Sequence, residues 1–177
     1  QDDNPVAPGV VGSGVQLIDW DSHTGPNSLL LRSGTEARFN LNGPRTGTNY
    51  QWDFWVNITT TATTDRGFRV SMRAEGGDLN GDDYIAYRQA NVTNSTVLES
   101  FDGIALGGVQ PTGGWTSMGT NYTPSTWQHH RIVINPLSRT FAFYLDNMVD
   151  AWMTGDLARP DAPMPVNIRI QHEGNTA

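Results

Sequence analysis

The residues best suited to chemistry in this sequence are arginines that alternate with apolar residues. In the segment from Phe68 to Ala74 (FRVSMRA) every second residue is apolar, and Val166 to Glu173 follows the same pattern as far as Ile170. Guanidinium groups pair with carboxylate and sulfate groups through two hydrogen bonds, and a tryptophan ring can stack on a sugar. If the polar faces of such strands line one sheet, they predict a groove for an acidic polysaccharide, with the candidate binding residues Trp55, Arg69, Arg73, Arg131, Arg169 and Gln171. The alternative is a solvated face on which these side chains form cross-strand ion pairs.

Glycoside hydrolysis would need two carboxyl groups that flank the scissile bond. The best pair among the four glutamates is Glu75 and Glu173, because each ends an alternating strand and precedes a glycine. The two carboxyl groups would have to lie about 5 to 9.5 Å apart, a distance that depends on the fold. The favoured alternative is that Glu75 and Glu173 are exposed side chains at strand ends and take no part in catalysis.

One segment, the DLNGDD sequence that begins at Asp78, is rich in oxygen ligands. Carboxylate and amide oxygens are typical ligands of Ca²⁺, so that Asp78, Asn80 and Asp82 form a candidate calcium site. The EF-hand pattern is not met, because Asp83 stands where glycine is required and Gln89 stands where a bidentate glutamate would close the loop. An acidic turn is the alternative.

An alternation of apolar and polar residues runs through most of the chain and predicts β-strands. Tyr50 to Ile58 (YQWDFWVNI) is a clear example. His130 shares a face with Ile132 and Ile134, which predicts a place in the core or between two sheets. Glycine-rich turns and the lack of a ten-residue helical stripe favour a β-sandwich or barrel. The expected strands are Gln16–Asp19, Ser28–Leu31, Ala37–Leu41, Tyr50–Ile58, Phe68–Ala74, Tyr84–Gln89, Val97–Phe101, His129–Asn135, Phe141–Asp146, Val149–Met153 and Val166–Glu173.

The length of 177 residues is suited to one domain. The sequence has no internal boundary and no long repeat. Residues 1–14 are expected to form an irregular N-terminal lead-in, and residues 15–177 are expected to form a single β-sandwich domain.

The segment from Trp127 to Ala151 (WQHHRIVINPLSRTFAFYLDNMVDA) predicts a strand that opens with tryptophan, a short turn, a second strand that ends in Leu-Asp-Asn, and a third strand. Together with NSLLLRSGTEARFNL and YQWDFWV, it resembles the laminin-G-like and concanavalin A-like lectin/glucanase domains. The resemblance covers about half of the chain and implies an all-β fold, a two-sheet antiparallel β-sandwich of the jelly-roll type. That fold carries lectins, adhesion modules, hydrolases and lyases. The E-x-D-x-x-E motif of the glucanases is absent, and so is the further strand that generally closes these domains.

A fainter resemblance, to alginate lyases, rests on Gln171-His172 and on Arg32 to Arg38 (RSGTEAR). Lyases of this class neutralise a uronate carboxylate with Arg, Asn or Gln and use His and Tyr as base and acid. Two residues are inserted before the glutamate of the arginine motif, and the third motif, rich in Tyr and Lys, is missing. If the chain is an enzyme, its candidate catalytic residues are Glu75, Glu173, His129 and His172.

The composition excludes several classes of partner. The chain has a formal net charge of −7 with eleven arginines, no lysine and no cysteine. An acidic protein is poorly suited to a nucleic-acid backbone or an anionic membrane, and the lack of cysteine excludes disulfides and thiol nucleophiles. No apolar stretch approaches the roughly 20 residues that span a bilayer. The start at Gln1, without methionine or apolar leader, is typical of a mature secreted product or a trimmed chain.

These patterns together predict a secreted or cell-surface module that binds a glycan, with acidic polysaccharide as the favoured class and Ca²⁺ as a candidate cofactor. The first alternative is a uronate lyase or glycoside hydrolase on the same fold. The second is a structural or adhesion module of a larger surface protein. Binding is preferred to catalysis because it does not require an acid and a base placed within hydrogen-bond reach of the reacting atoms.

Overall fold

The computed structural model describes residues 9–11, 15–18, 23–24, 28–32, 34–40, 49–59, 67–73, 83–89, 95–101, 115–156 and 167–172. These residues form β-strands joined by turns and bends. The strands, numbered in chain order, are β1 (Gly9–Val11), β2 (Val15–Ile18), β3 (Ser28–Leu31), β4 (Thr35–Asn40), β5 (Tyr50–Asn57), β6 (Phe68–Arg73), β7 (Asp83–Gln89), β8 (Val97–Phe101), β9 (Trp115–Asn121), β10 (Trp127–Asn135), β11 (Thr140–Leu145), β12 (Met153–Asp156) and β13 (Asn167–His172).

Two antiparallel sheets pack together and form a β-sandwich. One sheet has seven strands in the order β1-β4-β13-β6-β7-β8-β9, and the other has four in the order β12-β11-β10-β5. The strands β2 and β3 pair as a separate antiparallel hairpin. No helix able to cross a membrane occurs in the described part of the chain. The predicted all-β, two-sheet antiparallel β-sandwich is confirmed.

The core lies between the two large sheets, and the alternation along β10 shows how the sequence builds it. Every second residue of β10, from Gln128 to Ile134, is buried, while those between are half-buried on the outer side. The strand β11 alternates in the same way. Burial of each large apolar side chain contributes about 1.5 to 3 kcal/mol to stability. The core is formed by Ile58, Phe68, Val70, Met72, Tyr87, Leu98, Tyr122, Ile132, Ile134, Phe141, Phe143, Leu145 and Ile168.

His130 lies in this core, as the sequence predicted. Its side chain is fully buried and its Nδ1 lies 2.8 Å from the Tyr87 hydroxyl oxygen. The rings of Phe54, Phe68 and Phe143 surround it, with centroid distances of 5.5, 5.9 and 5.8 Å. Burial lowers the pKa of His130 to about 3, so the imidazole is neutral near pH 7 and connects the two sheets as a core residue.

Three expectations about strands need correction. Gly9–Val11, within the expected lead-in, form a strand that pairs with β4. The strand β9 was not expected, because its sequence WTSMGTN lacks a regular apolar alternation. The expected strand Val149–Met153 is wrong: the backbone turns before β12, where the Asn147 side chain accepts hydrogen bonds from the amides of Val149 and Asp150 at 2.9 and 3.4 Å.

Candidate functional site

Polar residues of β4, β6, β7, β8 and β13 point away from the core on the outer side of the seven-stranded sheet. On β6, Val70 and Met72 belong to the core, and therefore Arg69 and Ser71 point outward. The strand register places residues of the neighbouring strands beside them. We call this surface the arginine face, which consists of Glu36, Arg38, Arg69, Ser71, Ala86, Arg88, Glu99, Arg169 and Gln171.

The register sorts the arginine face into two rows that run across the strands. The first row reads Arg38, Arg169, Ser71 and Ala86 on β4, β13, β6 and β7. The second row reads Glu36, Gln171, Arg69, Arg88 and Glu99 on β4, β13, β6, β7 and β8, and Ser117 of β9, beside the arginine face, continues it. Neighbouring strands lie about 4.8 Å apart, so the second row spans roughly 24 Å.

Each row contains two arginines directly opposite each other. Arg38 is paired in register with Arg169, and Arg69 is paired in register with Arg88. Like charges at directly opposed positions of a sheet are destabilising. Destabilising arrangements such as these opposed arginines are typical of functional surfaces, where stability is not the only requirement.

Two carboxylates offset part of this positive charge. Glu36 lies between two arginines, with 2.7 Å from its Oε1 to Arg38 Nη2 and 3.1 Å from its Oε2 to Arg169 Nε. Glu99 Oε2 lies 3.3 Å from Arg88 Nε. Among the described residues of the arginine face, four arginines outnumber two glutamates, in a chain whose net charge is −7.

The centre of the arginine face is deeply buried. Arg169 is 3% exposed and Ser71 is 0% exposed. The Ser71 hydroxyl has no hydrogen-bond partner. A buried hydroxyl without a partner is costly.

The outer side of the four-stranded sheet carries a different group of residues, which we call the aromatic face: Gln51, Asp53, Trp55, Trp127, His129, Arg131 and Tyr144. Trp55 is 40% exposed and lies directly opposite His129. The two rings stack with centroids 4.7 Å apart and planes within 10°. The exposed His23, which precedes β3, also stacks on Trp55 at 3.5 Å and contacts Trp127 edge-on at 6.1 Å.

A hydrogen-bonded network centred on Asp53 lies beside this aromatic stack. Arg131 Nε donates to Asp53 Oδ1 at 2.7 Å, and His129 Nε2 lies 3.0 Å from the same oxygen. Gln51 Nε2 donates to Asp53 Oδ2 at 2.8 Å. Within this network the charges of Asp53 and Arg131 offset each other.

The structure divides the predicted glycan-binding residues between the two faces. Arg69, Arg169 and Gln171 come together on the arginine face, whereas Trp55 and Arg131 lie on the aromatic face. The expected single groove is therefore split, because the period of two fixes which way a residue points on its strand but not which sheet the strand joins.

Of the candidates for catalysis and metal binding, only His129 and His172 lie in the described part of the chain, and they belong to different sheets. Gln171 and His172 are adjacent on β13 and therefore point to opposite faces of the sheet. His129 belongs to the other sheet. No group of three metal-ligating side chains occurs in the part of the chain that the structure describes. Residues that lie outside the described set are Glu75, Asp78, Asn80, Asp82 and Glu173, and the side chain of Arg73 is likewise not described.

Four charged residues of the arginine face were not among the binding residues predicted from the sequence: Glu36, Arg38, Arg88 and Glu99. The signal was present at β4, where Glu36 and Arg38 flank the buried Ala37. Arg88 and Glu99 lie on short strands without strong alternation, and only the register reveals that they are opposite each other.

No protein-family model matches the chain, and no curated protein matches it in sequence. Similar solved structures include a sialidase, with 11% identity and a TM-score of 0.45, where the match covers 81% of this chain and 12% of that one. The SPRY domain of human HERC1 has 17% identity and a TM-score of 0.47, with 81% and 79% covered. Domain 4 of AbnA, a GH43 extracellular arabinanase from Geobacillus stearothermophilus in complex with arabinotriose, has 16% identity and a TM-score of 0.44, with 92% and 77% covered. At these values the similarities assign neither a family nor a ligand to this chain.

Proposed function

We propose that this chain is a glycan-binding module of the concanavalin A-like type, that it acts outside the cell or at its surface, and that it binds acidic polysaccharide on the arginine face. The observation that carries the proposal is the pair of cross-strand rows, in which four arginines outnumber two glutamates on an otherwise acidic protein.

The chemistry of the arginine face is suited to carboxylate or sulfate groups. A guanidinium forms two parallel hydrogen bonds with either group, and such charged hydrogen bonds are about twice as strong as neutral ones. An anion placed between Arg69 and Arg88 would relieve their mutual repulsion.

The extent of the second row supports a polymer as the ligand. A row of roughly 24 Å is long enough for several sugar residues in an extended chain. The acidic net charge of the protein opposes nonspecific binding of polyanions, so that affinity depends on the local arrangement of arginines.

The proposal favours binding over catalysis. A lyase would need a base close to the groups that neutralise the uronate, and His172 points to the opposite side of β13 from Gln171. Ca²⁺ bound by Asp78, Asn80 and Asp82 remains a proposal, tested by whether added Ca²⁺ raises the melting temperature of the protein and whether Asp82→Ala abolishes the shift.

The proposal is tested by calorimetric titration with polygalacturonate, chondroitin sulfate and a neutral glucan at low and high salt. We expect binding to at least one of the two acidic polymers that weakens as salt rises, because charge pairs near the surface are screened. Arg69→Gln should weaken it, whereas Arg139→Gln, in the turn between β10 and β11, removes the same charge elsewhere and should not. An affinity for both acidic polymers that salt does not weaken, or an equal loss of that affinity in Arg69→Gln and Arg139→Gln, would contradict the proposal.

A further inference from the structure

We propose that the aromatic face is a second, separate binding surface, and that it takes a neutral sugar ring stacked on Trp55. The proposal does not depend on the arginine face, which lies on the outer side of the other sheet. It rests on an exposed indole, on a ring already stacked against that indole, and on a polar network held in place beside it.

The indole of Trp55 lies on the outer side of β5, where it stacks with the rings of His129 and His23. Trp55 is 40% exposed, although burial of an aromatic ring would stabilise the fold. Trp127 and Tyr144 lie half-buried on the same outer side, on β10 and β11. This arrangement offers an apolar surface for the C–H groups of a sugar ring.

His23 shows that the indole accepts a flat ring from the solvent side. Its imidazole lies 3.5 Å from the Trp55 ring with an interplanar angle of 12°, and the residue itself is exposed. It belongs to the connection between β2 and β3, a hairpin outside the four-stranded sheet. We expect a sugar ring that stacks on Trp55 to take the place of His23.

The polar network supplies fixed hydrogen-bonding partners for the ring hydroxyls. Three side chains hold the Asp53 carboxylate: Gln51 at 2.8 Å, Arg131 at 2.7 Å and His129 at 3.0 Å. A group fixed before the ligand arrives loses little conformational entropy on binding. Hydroxyl groups both donate and accept hydrogen bonds, so they suit a network that contains both donors and acceptors.

The charge of the network favours a neutral ligand. Asp53 and Arg131 offset each other, so this ion pair adds no net positive charge that would attract a uronate or a sulfate. The arginine face, by contrast, has more arginines than glutamates. The two outer sides of the sandwich are therefore suited to different glycans, and one domain could hold a neutral chain and an acidic chain at the same time.

The test is titration of the protein with soluble xylan, galactomannan and mixed-linkage β-glucan, followed by tryptophan fluorescence and calorimetry. We expect saturable binding to at least one of these polymers, with an affinity that salt does not weaken. Trp55→Ala should reduce the affinity about tenfold or more, and Trp55→Phe, which keeps a ring, should retain most of it. Trp152→Ala is the matched control, because Trp152 is 43% exposed but precedes β12 at the opposite edge of the sheet.

A second variant tests the displacement of His23. His23→Ala should raise the affinity by roughly twofold to tenfold, because the sugar no longer competes with an existing stack. The proposal is overturned if no neutral polymer binds, if Trp55→Ala and Trp152→Ala have the same effect in folded protein, or if His23→Ala abolishes binding.

Discussion

At the scale of single residues, Glu36 has an unusual position because its two arginine partners differ in burial. The side chain of Arg38 is 41% exposed, whereas that of Arg169 is 3% exposed. Ion pairs in solvent contribute little to stability, but a buried charge that loses its partner is costly. The main effect of Glu36 is therefore to compensate the charge of the buried Arg169 guanidinium.

We expect Glu36→Gln to lower the free energy of unfolding by about 2 kcal/mol, because the buried guanidinium of Arg169 loses a charged partner. Arg38→Gln, which removes the exposed arginine of the same group, should change it by less than about 1 kcal/mol. Urea denaturation of both variants provides the measurement. Equal effects of the two substitutions would show that burial of Arg169 does not depend on Glu36.

His130 predicts how stability depends on pH. The unfolded chain takes up a proton near the ordinary histidine pKa of about 6.5, whereas burial holds the pKa of folded His130 at about 3. The contribution of the neutral imidazole to the free energy of unfolding is fully present above about pH 6.5, and it is lost as the pH falls toward 3. The loss from this group approaches about 1.4 kcal/mol per pH unit inside that window.

Urea denaturation between pH 7 and 4 measures this effect. The His130→Leu variant should lose stability less steeply than the parent protein as pH falls, even if its stability at pH 7 is lower. If the free energy of unfolding has the same slope against pH in the two proteins, the assignment of a neutral, buried His130 is contradicted.

At the scale of elements, the sequence predicted the strands whose two faces differ most. For β5, β10 and β11 the apolar alternation is long and regular, and the predicted bounds agree with the structure to within two residues. The polar strand β9 was missed, and the hairpin turn before β12 was mistaken for a strand. Local periodicity carries no information about strands held mainly by backbone pairing, nor about turns fixed by one side chain.

The turn before β12 gives a prediction about that side chain. Asn147→Ala removes the acceptor of the Val149 and Asp150 amides and should lower the free energy of unfolding by about 1 kcal/mol. Asn147→Asp keeps the acceptor oxygen and should retain most of the stability. Thermal melts of the two variants provide the measurement. If Asn147→Ala leaves the melting temperature unchanged, other contacts fix the turn.

The whole molecule separates two chemistries onto the outer sides of its two large sheets. The sequence identified arginine and tryptophan as the important residue types but placed them together, because strand order and sheet membership come from contacts between distant segments. The strand order β4-β13-β6-β7-β8 concentrates the arginines, and the pairing of β5 with β10 builds the aromatic face. An acidic chain thus acquires one local surface of positive charge.

The most direct test of binding on the arginine face compares two charge-matched double variants in their affinity for an acidic polysaccharide. Arg69→Gln/Arg88→Gln removes an opposed pair from the arginine face, and Arg131→Gln/Arg139→Gln removes the same charge from the β10–β11 side of the sandwich. At constant low salt, the first variant should bind polygalacturonate or chondroitin sulfate about tenfold or more weakly than the parent protein, and the second should bind almost as well. Equal losses in both variants would show that only the net charge matters, and unchanged binding in the first would contradict the arginine face as the binding surface.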